Sequence, residues 1–392
     1  MGGLADRPTA QRAYPAVISA AGDGINRTIG GVLVCVIHDS LVIGAGQGGL
    51  ASSYALKRRG IEHVVLDRDS GPGGAWQHRW DALTMDDVHG VADLPDSTAP
   101  GRSPERANAV IPEYFGEYES EHDLPVERPV KVTRVEAEDG ARQGPLVLTA
   151  DDGRTWRTRT LVNATGTWTR PFVPAYPGAS SFAGEQFHTV TYPGPEHFRG
   201  KRVAVIGGGA SAVQFIGQIA PIADIVWVTL REPVWRDGFD GLEVVTGIEE
   251  RAVQGLPTQS VVSGTALSLR PQEYEASRLG AYDGRLPMFE RIEPEGLRWA
   301  DGRFERVDII LWATGFRPAI DHLAPLHLRS SAGGIALERV PGNVQGATTA
   351  ALDPRIHFVG YGPSASTIGA SRAARQAARA VEKYLAEDRS RD

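Results

Sequence analysis

The chain has 392 residues, 41% of them hydrophobic, and a net charge of −7. That length allows a large core and about two domains, while the acidic balance and the lack of a Lys/Arg block argue against a nucleic-acid or membrane partner. The single cysteine, Cys35, excludes an intrachain disulfide framework, a zinc cluster or a redox dithiol and suits the cytoplasm; no run approaches the roughly 18 apolar residues of a membrane span.

Residues 1–37 mix Gly, Ala, Pro and Arg without a period and are expected to be a disordered or loosely packed extension, an extra strand at Val32–Ile37 being the second reading. Leu41–Ile43 then predicts a strand, Gly44-Ala-Gly46-Gln47-Gly48-Gly49 a tight turn, Leu50–Arg59 a helix, and Val64–Leu66 a second strand ending in Asp67. Gly44 allows the sharp turn, Gly46 lets backbone approach a pyrophosphate, and Gly49 lets the helix pack on the sheet. The helix N-terminus offers free N–H groups to phosphates. Asp67 follows at roughly the 20-residue distance of a ribose-binding acid. Strand, turn, helix and acid in register define a dinucleotide site.

Ser70–Trp76 is a glycine-rich loop in which Gly74 lets backbone approach a flat ligand; Trp76 either covers that ligand or anchors the core. Residues 84–106 read as a long excursion, and Pro112 opens a short helix through Glu119. Val130–Val135, Leu146–Thr149 and Trp156–Val162 alternate like strands and end in Asn163-Ala164-Thr165-Gly166-Thr167-Trp168. Pro171, Pro174 and Pro177 make a stiff linker, where composition places a domain boundary.

The pattern then repeats. Arg202–Ile206 predicts a strand, Gly207-Gly208-Gly209-Ala210-Ser211-Ala212 a second glycine turn with a helix from Ala210, and Ile225–Leu230 a strand ending at Arg231. Arg231 puts a permanent cation where the 2′-phosphate of NADPH would lie, with Arg236 in support; Glu232 leaves NADH as the other possibility. After an excursion over residues 237–294, Leu297–Ala300 and Val307–Leu311 repeat the hairpin and end in Trp312-Ala313-Thr314-Gly315-Phe316. Each Ala-Thr-Gly marks a crossing between domains where small residues let backbone and cofactor crowd together. Ile356–Val359 is a last strand, and Ser366–Glu387 a helix whose dipole can face a cofactor that becomes anionic on reduction.

Phe182-Ala-Gly184-Glu-Gln-Phe-His188-Thr-Val-Thr-Tyr192 matches F-x-G-x-x-x-H-x-x-x-(F/Y) at every fixed position. With both glycine turns, Gly73-Gly74-x-Trp76 and both Ala-Thr-Gly turns in order, the chain from about Asp39 to Leu385 resembles the flavin-containing monooxygenases and their Baeyer–Villiger relatives. The resemblance implies an α/β protein with two Rossmann-like dinucleotide-binding domains, the second inserted into the first, of three-layer ββα type. Residues 38–166 and 316–392 would hold FAD, at Gly44, Gly46, Gln47, Gly49, Asp67, Arg68, Gly74, Trp76, Thr165 and Gly166. Residues 167–315 would hold NADPH, at Gly207, Gly209, Ala210, Ser211 and Arg231, with Thr314 and Gly315 at the crossing.

The implied activity is oxygenation of a small organic substrate by O2 through a C4a-hydroperoxyflavin, at nitrogen, sulfur or a ketone, with a homodimer as an option. His188 would couple the domains rather than act as an acid or base. Two departures leave the subtype open: Tyr192 stands where Baeyer–Villiger enzymes carry tryptophan, and Thr84–His89 lacks the asparagine of nitrogen- and sulfur-oxidising members. No Ser-His-Asp, HExxH or paired-carboxylate constellation appears, so no catalytic side chain and no metal ligand is assigned. The alternative is an FAD-dependent NAD(P)H reductase of a quinone or protein acceptor, with Tyr361 standing where many such enzymes carry an aspartate.

Overall fold

The computed structural model describes residues 26–29, 32–88, 91–140, 142–235, 241–257, 267, 269–340, 346–365 and 367–390. Residues 1–25 of the expected extension lie outside this set. Within the rest of it, Asn26–Ile29 (β1) and Val32–Cys35 (β2) pair as an antiparallel hairpin. Ile37–Ile43 (β3) follows directly.

Around β3 the chain builds its larger sheet. Parallel neighbours are His63–Leu66 (β4) on one side, which pairs in turn with Val126–Glu127 (β5), and Thr155–Asn163 (β8) on the other. β8 is long enough to serve two partners along its edge away from β3. Its first half runs antiparallel to Leu146–Ala150 (β7), itself paired with Val132–Ala137 (β6), and its second half runs parallel to Asp353–Phe358 (β17). Thr349–Ala350 (β16) closes that edge.

Side chains alternate across these strands as a two-residue period demands. Val42, Val65 and Val162 enter a core with Leu50 and Leu56 of α1 (Gln47–Lys57), Phe115 of α2 (Ala107–Glu121) and the alanines of the C-terminal helix. Leu41, Ile43, Val64, Leu66 and Leu161 enter a second core under the β6–β7–β8 meander. Helices, parallel sheet and meander are the three layers of a ββα module.

Between β8 and β16 the chain builds a second such module. Asp224–Val228 (β11), Arg202–Ile206 (β10), Ile309–Trp312 (β15) and Glu185–His188 (β9) form, in that order, an all-parallel sheet. Val203 and Val205 face α3 (Ala210–Ile219). Ala204 and Ile206 face the antiparallel sheet of Arg291–Glu293 (β12), Gly296–Arg298 (β13) and Phe304–Arg306 (β14). Within this insertion lie also α4 (Gly241–Val253) and α5 (Pro271–Arg278). Ala252 of α4 nonetheless joins the meander-side core of the first module. The chain closes with α6 (Thr367–Arg389), which packs on α1.

Four elements differ from their sequence expectation. The hairpin expected of Leu297–Ala300 with Val307–Leu311 is made instead by β13 with β14, and Ile309–Trp312 (β15) joins the parallel sheet beside β10 and β9. The helix expected to open at Pro112 is α2, which starts at Ala107 and carries Pro112 inside. Near the helix start the proline forfeits a single backbone bond, and its ring fills the space beside Gly73, where a Cβ would lie 2.7 Å from Pro112 Cγ. β11 stops at Val228, and Leu230 beyond it is 78% exposed. β17 begins at Asp353, before its expected start, because the fully buried Asp353–Arg355 ion pair hides the strand behind polar residue types. Ser366, the expected start of the last helix, and Arg236 lie outside the described residues.

Candidate functional site

Gly44 adopts φ +98°, and its amide donates to the Leu66 carbonyl at 2.8 Å. A Cβ there would come within 2.7 Å of the Ala164 carbonyl oxygen. The Ala164 amide answers by donating to the Ile43 carbonyl at 2.9 Å. The first Ala-Thr-Gly turn is thus stacked directly on the first glycine turn. Gly49 packs closer still, since its Cβ would sit 1.7 Å from the Gly44 carbonyl oxygen. Gly48 lies against Val359 at the end of β17. Gly46 caps α1 in an extended conformation without a side-chain cap, which leaves the first-turn N–H groups free of side-chain partners.

The Ser70–Trp76 loop meets this turn backbone to backbone: Gly74, at φ +50°, would bring a Cβ to 2.8 Å from the Gly46 Cα. Gln47, the first residue of α1, donates through Nε2 to the Ala92 carbonyl at 3.0 Å, while its buried Oε1 has no partner among the described residues. Asp67 is buried, with Oδ2 accepting from the Ala45 amide at 2.5 Å and Oδ1 from the Asp69 amide at 3.0 Å. Spare lone pairs remain on both oxygens. Arg68, half exposed, pairs with Asp69 at 3.7 Å.

The second module repeats the device. Gly207, at φ +146°, would place a Cβ 2.3 Å from the Ala313 carbonyl oxygen. The Ala313 amide donates to the Ile206 carbonyl at 2.8 Å, and the Gly207 amide to Val228 at 2.9 Å. Gly209 caps α3, again without a side-chain cap, and Ala210 and Ser211 open the helix half-exposed. The position equivalent to Gly49 is the buried Ala212, a substitution the fingerprint accepts. Arg231 is exposed beyond β11; its carbonyl accepts from Thr229 Oγ1 at 2.7 Å and lies beside Gly208.

Both crossings are tied to one another. Thr165 Oγ1 donates to the Ala319 carbonyl at 2.6 Å, and the Ala319 amide to the Gly166 carbonyl at 3.0 Å. Thr314 Oγ1 donates to the Phe172 carbonyl, and the Phe172 amide to Gly315 at 3.0 Å. His188 donates from Nε2 to the Gly315 carbonyl at 3.1 Å and accepts from the Val190 amide on Nδ1 at 3.4 Å. Burial holds its pKa below the usual histidine value. With both nitrogens bonded to backbone, His188 is a linker and has no proton free to exchange with substrate.

Sequence reasoning missed several contributors. Arg128 forks onto Glu119 with two 2.6 Å bonds and lies 3.7 Å from Asp67. Gln218 and Gln214 of α3 donate to the Ala82 and Asp87 carbonyls at 3.2 and 3.0 Å, which fastens the loop after Trp76 to the second module. Trp80, Tyr192 and Phe215 pack as an aromatic cluster in the same seam. None of these had a local signal; each depends on contacts between distant segments. A cavity of about 570 Å³ elsewhere, lined by Arg134, Arg142 and Arg355, contains none of these residues.

Two uncapped helix N-termini, each reached through a positive-φ glycine pressed on an Ala-Thr-Gly carbonyl, define an oxidoreductase with two dinucleotide sites in one chain. The family of pyridine nucleotide-disulphide oxidoreductases matches residues 41–251. A flavin-containing monooxygenase from Stenotrophomonas maltophilia is 36% identical, with 88% of this chain and 98% of that one covered at a TM-score of 0.74. Indole-3-pyruvate monooxygenase YUCCA1 of Oryza sativa subsp. japonica is 28% identical over 72% of this chain and 77% of its own length. A Baeyer–Villiger monooxygenase of Streptomyces coelicolor is 31% identical over 50% of this chain and 38% of its own. The chain belongs to the pyridine nucleotide-disulphide oxidoreductases and, within them, to the flavin monooxygenases. These relatives are oxygenases, which favours oxygenation over the reductase alternative; Tyr361, invoked for the latter, is buried, with its hydroxyl accepting from the Ile335 amide at 2.9 Å.

Proposed function

We propose that the protein is an NADPH- and oxygen-dependent flavoprotein monooxygenase of a small organic substrate. The observation that carries this is the duplicated contact of Gly44 with Ala164 and of Gly207 with Ala313, which builds two phosphate-ready helix N-termini in one chain. Residues 38–166 and 316–392 then form the FAD unit, and 167–315 the NADPH unit.

The residues fit the cofactors. Gly46 and Gly74 leave a cradle that side chains would fill, the orphaned Gln47 Oε1 offers an acceptor, and Asp67 keeps lone pairs for ribose hydroxyls. Gly49, Arg68, Trp76, Thr165 and Gly166 complete the FAD set. Gly207, Gly209, Ala210 and Ser211 receive the NADPH pyrophosphate, and Arg231 its 2′-phosphate. Thr314 and Gly315 line the crossing.

The flavin supplies the redox and oxygen chemistry. The chain's own task is positioning and the exclusion of water, which the Trp80–Tyr192–Phe215 seam and the tethered loop serve. No helix among the described residues is long and apolar enough to cross a membrane. The single cysteine supports a cytoplasmic setting.

The test is incubation of FAD-loaded protein with NADPH and ¹⁸O2 against a thioether, a tertiary amine and a cyclic ketone. One product should carry the label; peroxide release with no labelled product from any substrate would overturn the assignment.

A further inference from the structure

Arg79 has no acidic partner among the described residues. Its Nε is buried and bonded to nothing, and burial alone pushes the guanidinium down to about 10, so it stays charged at neutral pH. The nearby carboxylates are engaged elsewhere: Asp69 with His78 at 3.1 Å, Asp81 with Arg106 at 3.2 Å and Asn108 at 2.8 Å. Backbone bonds hold the residue in place, its amide donating to the Trp76 carbonyl at 3.1 Å and its carbonyl accepting from Asn108 Nδ2 at 2.9 Å.

The guanidinium lies 4.4 Å from the Trp168 ring and 5.4 Å from Trp76. Trp168 stacks on Phe316 at 5.3 Å, and Phe316 meets His188 edge-on at 5.2 Å. Arg79 therefore stands where the loop facing Gly46, the first crossing and the second crossing converge. A cation stacked on indole faces keeps the edge of its donor fork free. Arg79 is half-buried, with its Nε shielded and its terminal nitrogens reachable; a cation so placed without an acid is completed by an anion, and the planar fork matches a carboxylate.

We propose that Arg79 is the binding residue for the carboxylate of an anionic substrate whose apolar or aromatic body lies along Trp76, Trp168 and Phe316. This rests on the oxygenase assignment, in which the α1 and α3 N-termini and Arg231 already serve the cofactor phosphates, leaving Arg79 for the substrate.

The probes are phenylacetate and phenylacetamide, alike in shape and different in charge. Both are titrated without turnover into FAD- and NADP⁺-loaded protein and read by tryptophan fluorescence and flavin absorbance. Phenylacetate binds about tenfold or more tighter than the amide in the native protein, and the preference falls below about twofold in Arg79→Gln, with Arg79→Lys between them. Equal binding of the two probes by the native protein overturns the proposal and needs no variant that folds. So does a preference that survives Arg79→Gln, or a variant that loses NADP⁺ affinity while keeping the preference. Because binding is read without oxygenation, a failure here leaves the isotope-label result standing, whereas a failure of labelling removes the oxygenase reading on which this one rests even if the carboxylate preference is seen.

Discussion

The Gly44 Cα faces the Ala164 carbonyl oxygen so closely that a methyl group would lie 2.7 Å from it, and Gly207 stands toward Ala313 in the same way at 2.3 Å. Both glycines have positive φ, so steric crowding and backbone conformation forbid a side chain together. The relation ties each nucleotide turn to the strand end that carries the chain between modules.

The duplicated contact predicts a double dissociation. Gly44→Ala introduces strain of about 1–3 kcal/mol and yields protein with little bound flavin. Gly207→Ala keeps its FAD and loses NADPH-driven flavin reduction. Flavin absorbance per chain and reduction rates at varied NADPH measure this. Flavin retained in Gly44→Ala, or flavin lost equally in both variants, contradicts it.

Arg231 is exposed and owes its place to the end of β11. Arg231→Ala raises KM for NADPH by about tenfold while KM for NADH hardly moves, and the NADPH effect shrinks with added salt because an exposed cation is screened. A parallel rise for both coenzymes would remove the assignment.

Arg128 joins α2 to the acid at the end of β4 through Glu119 and Asp67. Arg128→Met leaves the buried Asp67 and the partly buried Glu119 without their shared cation and lowers unfolding free energy by about 3 kcal/mol. Urea denaturation measures the loss, and adding Glu119→Gln recovers part of it. No recovery in the double variant would show that the side chain's packing, and not its charge, matters.

Acid sensitivity follows from two histidines. His322 donates to Asn163 Oδ1 at 2.7 Å, and His357 is fully buried beside Thr349; burial pushes both down to about 4. Between the ordinary value of 6.5 and about 4 the unfolded chain binds protons that the native state refuses. Stability is therefore full above pH 6.5 and falls as the pH drops toward 4, by at most about 3 kcal/mol for each histidine. His357→Asn flattens the slope of unfolding free energy against pH, whatever it does to stability at neutral pH. An unchanged slope would mean that other groups set the acid limit.

Local residue types carried much of this protein. Glycines that must take positive φ, short unbroken apolar runs along β3, β4 and β10, and the Ala-Thr-Gly turns state their own conformations, because sterics and burial act within a few residues. From them the two nucleotide turns, their order and the layered α/β fold were legible. Pro112 misled because a proline's cost depends on its depth in the helix, and β17 was foreshortened because a buried ion pair imitates a surface pair in sequence.

Only the tertiary structure decided which groups meet. Arg128 reaches Asp67, His188 is spent on Gly315 and Val190, Gln214 and Gln218 fasten the loop after Trp76, and Arg79 is left with aromatic rings and no acid among the described residues. Such pairings join segments far apart in the chain, and whether a charge is satisfied depends on every neighbour that folding brings to it, which no local pattern encodes.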